Sequence, residues 1–82
     1  MMVEFDKVMN RDKFAYWQLR LFHMTKEELN IALNWFKENG YFSSEDVMIG
    51  WYNRPLFDSN IYSLNCSTTD DECASAFKLR WT

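Results

Sequence analysis

Eighty-two residues carrying nine basic and twelve acidic side chains, net charge −3, with 48% hydrophobic and 18% aromatic content, describe one small domain near the lower size limit for a self-sufficient core. Four Trp, four Tyr and seven Phe compensate for the short length, because each buried aromatic removes about 150–250 Å² from water, and with two Gly, one Pro and no low-complexity run the composition argues against disorder. The mild acidity excludes a general phosphate-backbone binder, which carries a basic face, and falls short of the dense, repeated carboxylates of a DNA mimic.

Met1-Met-Val-Glu-Phe-Asp6 has neither the basic start nor the apolar run of a signal peptide. No stretch reaches the ~20 apolar residues of a membrane span, so the sequence predicts a cytoplasmic protein without a membrane partner. Within residues 1–13, Val3, Phe5 and Val8 fit a short edge strand or a helical turn, and Asn10-Arg-Asp12 a turn. From Phe14 to Phe22 the chain alternates. Ala15, Trp17, Leu19 and Leu21 form one apolar set; Phe14, Tyr16, Gln18, Arg20 and Phe22 form the other. Period two with aromatic enrichment predicts a strand, although Phe14, Trp17, Leu21 and Met24 also match helical spacing.

Thr25 to Gly40 reads as an amphipathic helix. Thr25 and Glu28 make a capping box, Leu29, Ala32, Leu33 and Phe36 make an apolar stripe that Ile31 and Trp35 widen, and Gly40 suits the left-handed position that ends it. A polar loop through Ser43-Ser-Glu-Asp46 leads to a strand over Val47–Tyr52, with Val47, Ile49 and Trp51 on one side. Asn53 to Asn60, which holds the only Pro, reads as a loop. Ile61–Cys66 alternates again, with Tyr62, Leu64 and Cys66 on the core side. The chain closes in a helix over 69–82, with Thr69 and Glu72 as a second capping box, acids at its start, Lys78 and Arg80 at its end, and a Cys73, Ala76, Phe77, Arg80 stripe. The order β-α-β-β-α predicts an α+β domain: a small ferredoxin-like sandwich with two helices on one face of an antiparallel sheet, its fourth strand absent or supplied by the N-terminal segment.

Catalytic chemistry finds little support. One His and two Cys without CxxC or HxxxH spacing do not make a zinc site, and Asp70-Asp71-Glu72 in a first helical turn reads as dipole compensation rather than a Mg²⁺ or Ca²⁺ site. Nothing in the sequence brings His23 to Cys66 or Cys73 as base and nucleophile, and no Gly-rich phosphate loop occurs. Cys66 and Cys73 read as two reduced, buried thiols rather than a disulfide. The expectation is a non-enzymatic chain without cofactor or metal.

Binding remains. The sheet face away from the helices carries Phe14, Tyr16, Gln18, Arg20, Phe22, Met48, Tyr52, Ile61, Ser63 and Asn65, too apolar to stand bare without purpose. Phe14, Tyr16, Arg20, Phe22, Met48 and Tyr52 are the candidate partner-binding residues, because aromatics and Arg dominate interface energetics. Glu27, Glu28, Glu45, Asp46, Asp70, Asp71 and Glu72 form a candidate acidic rim at helix and strand starts. The competing reading has residues 1–9 folding over the face and burying it. An RNA-binding sheet needs similar aromatics, but the basic Gly-aromatic signature is missing and the charge opposes it, so direct nucleic-acid binding is not expected.

Asp70-Asp-Glu-Cys-Ala-Ser-Ala-Phe-Lys-Leu-Arg-Trp81 resembles the acidic helical ending, closing in Phe-Lys-Leu-Arg-aromatic, of small uncharacterised tailed-bacteriophage proteins. Met24-Thr-Lys-Glu-Glu28 and Asn34-Trp-Phe-Lys-Glu-Asn-Gly40 are similar to the central helix of such proteins. The two segments cover about a third of the chain, and no functional residue transfers with them. The resemblance implies action in the host bacterial cytoplasm: binding and inhibiting a host protein or protein–nucleic acid complex, a CRISPR effector being one concrete version, with a homodimer as one form. A self-associating virion or assembly component is the alternative reading.

Overall fold

The computed structural model describes residues 1–9, 14–57 and 59–82. The chain runs β1 (Met2–Met9), β2 (Ala15–Met24), α1 (Lys26–Glu38), a 3-10 turn (Tyr41–Ser43), β3 (Val47–Leu56), β4 (Ser59–Thr68) and α2 (Asp71–Trp81). The expected Asn10–Asp12 turn lies outside the described residues. Among the described residues the four strands form one antiparallel sheet in the order β1-β2-β4-β3. β2 and β3 both run antiparallel to β4, so they share a direction and α1 crosses over β4 to join them. The fold is α+β, with both helices on one sheet face. Neither the strand order β1-β2-β4-β3 nor the placement of the helices is specific to the ferredoxin-like sandwich that the sequence predicts.

β1 settles the role of residues 1–9. Met2 to Met9 pair in register with Phe22 to Ala15 as an in-plane edge strand, so they extend the sheet instead of covering its open face. Val3 and Phe5 rest on the core side, and Val8 turns to the other, opposite Tyr16.

The core lies between sheet and helices. Leu19, Leu21 and Met24 of β2, Leu64 and Cys66 of β4, Val47 of β3, Leu29, Ala32 and Phe36 of α1, and Cys73, Ala74 and Phe77 of α2 form one buried cluster. Each fully buried large side chain contributes about 1.5–3 kcal/mol. Trp35, Phe36, Tyr41, Phe77 and Trp81 join it through edge-on and stacked rings 4.8–6.2 Å apart. The helices pack over β2 and β4, which leaves Trp51, on the core side of β3, half exposed.

Three local expectations give way. First, Asp70, not Thr69, caps α2: its Oδ1 accepts from the Glu72 and Cys73 N–H groups at 2.9 and 3.4 Å, while the Thr69 N–H donates to the Asp46 carbonyl. The buried face of α2 is Cys73, Ala74 and Phe77, with Trp81 packed part-buried beside them and Arg80 in solvent rather than on the stripe. Second, Asn53–Asn60 is not a loop. β3 and β4 continue in register to Leu56 and Ser59, because β3 is an edge strand, where Pro55 costs no interior ladder bond; Phe57, at φ 55°, supplies the positive dihedral a tight hairpin demands. Third, β2 runs on to Met24 through a bulge. Two residues of β2, Phe22 and His23, oppose one of β4, Ser63, between Leu21 and Met24, with His23 at φ 55°, which returns Met24 to the core. The first helix keeps its capping box on Thr25 and Glu28 and its left-handed Gly40.

Candidate functional site

Alternation fixes the open face. With Leu19, Leu21, Leu64 and Cys66 turned to the helices, Tyr16, Gln18, Arg20 and Phe22 of β2 and Ile61, Ser63, Asn65 and Ser67 of β4 point the other way. Met48, Gly50, Tyr52 and Arg54 of β3 and Glu4 and Asp6 of β1 complete the face. Across the strands the register sets rows: Asp6-Gln18-Ser67-Met48, then Glu4-Arg20-Asn65-Gly50. Arg20 and Glu4 pair at 3.7 Å. The floor of the face is made of small residues, and Asn65 Oδ1 is buried there with no hydrogen-bond partner among the described residues.

The aromatic candidates gather at the two ends rather than in one stripe. At the end where β2 begins, Phe14, Tyr16 and Met48 line a cavity of about 500 Å³ with Glu45, Asp46, Ser67, Thr68 and Thr69. Phe14 and Met48 are 66% and 74% exposed. At the other end Phe22 and Tyr52 wall a cavity with His23, Arg54, Ile61 and Ser63, and a neighbouring one with Arg20, Ser63 and Asn65. His23 and Arg54 are members that the sequence missed. The bulge brings His23 beside Phe22, and the unexpected length of β3 brings Arg54 onto the sheet.

The acidic rim divides. Glu45, Asp46, Asp70, Asp71 and Glu72 meet where β3 and α2 begin, tied by hydrogen bonds from Thr69 N–H (3.2 Å) and Thr68 Oγ1 (2.8 Å) to the Asp46 carbonyl. Glu27 and Glu28 start α1 at the opposite end of the sheet, so the rim is not continuous. Several of these carboxylates have structural partners. Asp70 caps α2, Asp71 Oδ1 accepts from Trp17 Nε1 at 2.7 Å, and Glu28 Oε1 accepts from the Thr25 N–H at 3.1 Å. Glu45, Asp46 and Glu72 remain exposed acids. Burial pushes the Tyr41 phenol above its usual range, helped by Asp70 and Glu72.

Cys66 and Cys73 are free, fully buried thiols that meet between β4 and α2. The hydrogen bond to Cys73 and then burial push the Cys66 thiol well up. His23 stands exposed at the bulge, beside Phe22 and Tyr52. Among the described residues no group of three or more His, Cys, Asp or Glu side chains is placed to hold a metal ion, and no helix is long and apolar enough to cross a membrane. Comparisons with protein families, with curated proteins and with solved structures find no match to this chain.

Proposed function

We propose that this chain is a small non-enzymatic protein that binds and modulates a host bacterial protein complex, through the open sheet face and the acidic end that borders it. The observation that carries the reading is the uncovered face itself. β1 lies in the sheet plane, so Tyr16, Phe22, Met48, Tyr52, Arg20 and Arg54 remain at the surface, and aromatics with Arg are what protein interfaces concentrate. The exposed Glu45, Asp46 and Glu72 add an acidic contact suited to a basic partner, such as a surface that normally holds nucleic acid. Direct nucleic-acid binding is disfavoured, since Glu4 and Asp6 project from the same face as the aromatics. The resemblance of both helices to small phage proteins supplies the host context.

Affinity capture from bacterial lysate with the tagged chain tests the proposal. A single stoichiometric host complex is expected; Glu45→Lys with Glu72→Lys abolishes its capture, and Tyr16→Ala with Phe22→Ala weakens it. Capture that all these variants retain overturns the assignment of the surface.

A further inference from the structure

Resting on the reading of this end of the sheet as a partner contact, we infer that the cavity where β2 and β3 begin receives an arginine side chain of the partner. Its floor is the end of β4, from Ser67 to Thr69; Phe14 and Tyr16 stand on the β2 side, and Glu45 and Asp46, in the turn before β3, stand on the other. Trp17 and Val47 both pair with Thr68. Tyr16 and Asp46, one residue before each, therefore flank β4 from opposite sides, with about 10 Å between their strand lines. One wall is aromatic and the other carries two carboxylates. Every charged side chain that lines the cavity is an acid, and neither Glu45 nor Asp46 makes an ion pair among the described residues. Arg20, His23 and Arg54 line the cavities at the other end of the face. The sorting of charge gives this cavity a cation as its complement, and the negative faces of the rings attract the same ligand.

The acidic wall is ordered before anything binds. The Asp46 N–H donates to Ser44 Oγ at 3.3 Å, and its carbonyl accepts from Thr68 Oγ1 at 2.8 Å and from the Thr69 N–H at 3.2 Å. Thr68, which anchors this clamp, is 2% exposed. A turn already fixed on a buried threonine loses little further entropy on association. Between the two basic side chains, arginine suits these walls. Its guanidinium is planar, stacks flat on a ring and donates from its edge in a fork that matches carboxylates, whereas the lysine ammonium is a compact, strongly hydrated point charge. The apolar stem of the arginine then lies along Met48, 74% exposed on the β3 side, whose flexible thioether adapts to it. The cavity volume of about 500 Å³ falls within the range of small-ligand sites.

Titration of the ¹⁵N-labelled full chain with N-acetyl-arginine methylamide, followed by amide chemical shifts, tests the inference. Saturable shifts are expected at Asp46, Ser67 and Thr69, with Kd on the order of millimolar for one isolated side chain. The citrulline analogue, which keeps the shape and loses the charge, is expected to give none, and the lysine analogue to bind more weakly than arginine. Asp46→Asn is expected to weaken the arginine probe about tenfold, the loss of one charge-assisted bond. The clamp on Asp46 uses only its main chain, so the rest of the amide spectrum stays in place and shows that the variant is folded. Tyr16→Ala weakens the probe as well. No shift at the cavity, equal binding of citrulline, tighter binding of lysine, or full affinity in Asp46→Asn overturns the inference. If the probe fails while the chain still captures its host complex, the proposed function stands without this site. If the probe binds and no host complex is captured, the site stands and the proposed function falls.

Discussion

Asp70→Ala probes the first turn of α2, where the structure and the simplest sequence pattern differ. Asp70 Oδ1 satisfies the N–H groups of Glu72 and Cys73 at 2.9 and 3.4 Å. Losing an N-cap costs about 0.5–2 kcal/mol, and removing a carboxylate from the positive end of the helix dipole adds about 0.3–1 kcal/mol, less where solvent and salt screen it. A total near 1.5 kcal/mol in a domain this small lowers Tm on the order of 5–10 °C. Thr69→Ala keeps the backbone bond from Thr69 N–H to the Asp46 carbonyl, so its cost stays within about 0.5 kcal/mol. Thermal and urea unfolding followed by circular dichroism measure both. Equal losses from the two variants, or a larger loss from Thr69→Ala, refute the assignment of the cap.

Trp17→Phe and Asp71→Ala each remove the 2.7 Å bond from indole to carboxylate. Each is expected to cost about 1 kcal/mol, and in urea unfolding the double variant loses clearly less than the sum of the two. Gly40→Ala loses about 1 kcal/mol because φ is 75°, whereas Gly50→Ala, in open space with ordinary φ, leaves stability within about 0.5 kcal/mol; the same unfolding curves read both. The Cys66 thiol, raised by its bond to Cys73 and by burial, stays protonated in the fold, while an unfolded thiol ionises near pH 8.5. The unfolded chain then binds fewer protons, so stability falls as pH rises above about 8.5; Cys66→Ala flattens that fall, and a slope identical to the parent's refutes it.

The element types were legible where one period dominated. Leu19 and Leu21 against Arg20 and Phe22, and Leu64 and Cys66 against Ser63 and Asn65, announce strands with one buried side, and Thr25 with Glu28 announces α1. What local pattern could not show was the strand edges. Pro55 and Asn53 look like a loop until β3 is known to be an outer strand, a fact that depends on the whole sheet order. The His23 bulge is equally hidden, because a single extra residue leaves no compositional mark. The same two features placed Arg54 and His23 on the open face, so the basic end of the candidate site was the part least visible beforehand. At α2 three consecutive acids preceded by Thr69 allow two capping frames, and only the backbone bond between Thr69 and Asp46 selects one. Alternation alone puts Tyr16, Phe22 and Tyr52 on one side of the sheet, but their separation into two ends follows from register.

The most direct test of the account is quantitative affinity capture from bacterial lysate, comparing the parent chain with Glu45→Lys/Glu72→Lys and Tyr16→Ala/Phe22→Ala after each is shown to be folded. The account predicts one stoichiometric host complex on the parent chain, lost from the first pair of substitutions and diminished in the second. No stoichiometric host complex on the folded parent, or one held equally by all three chains, contradicts it.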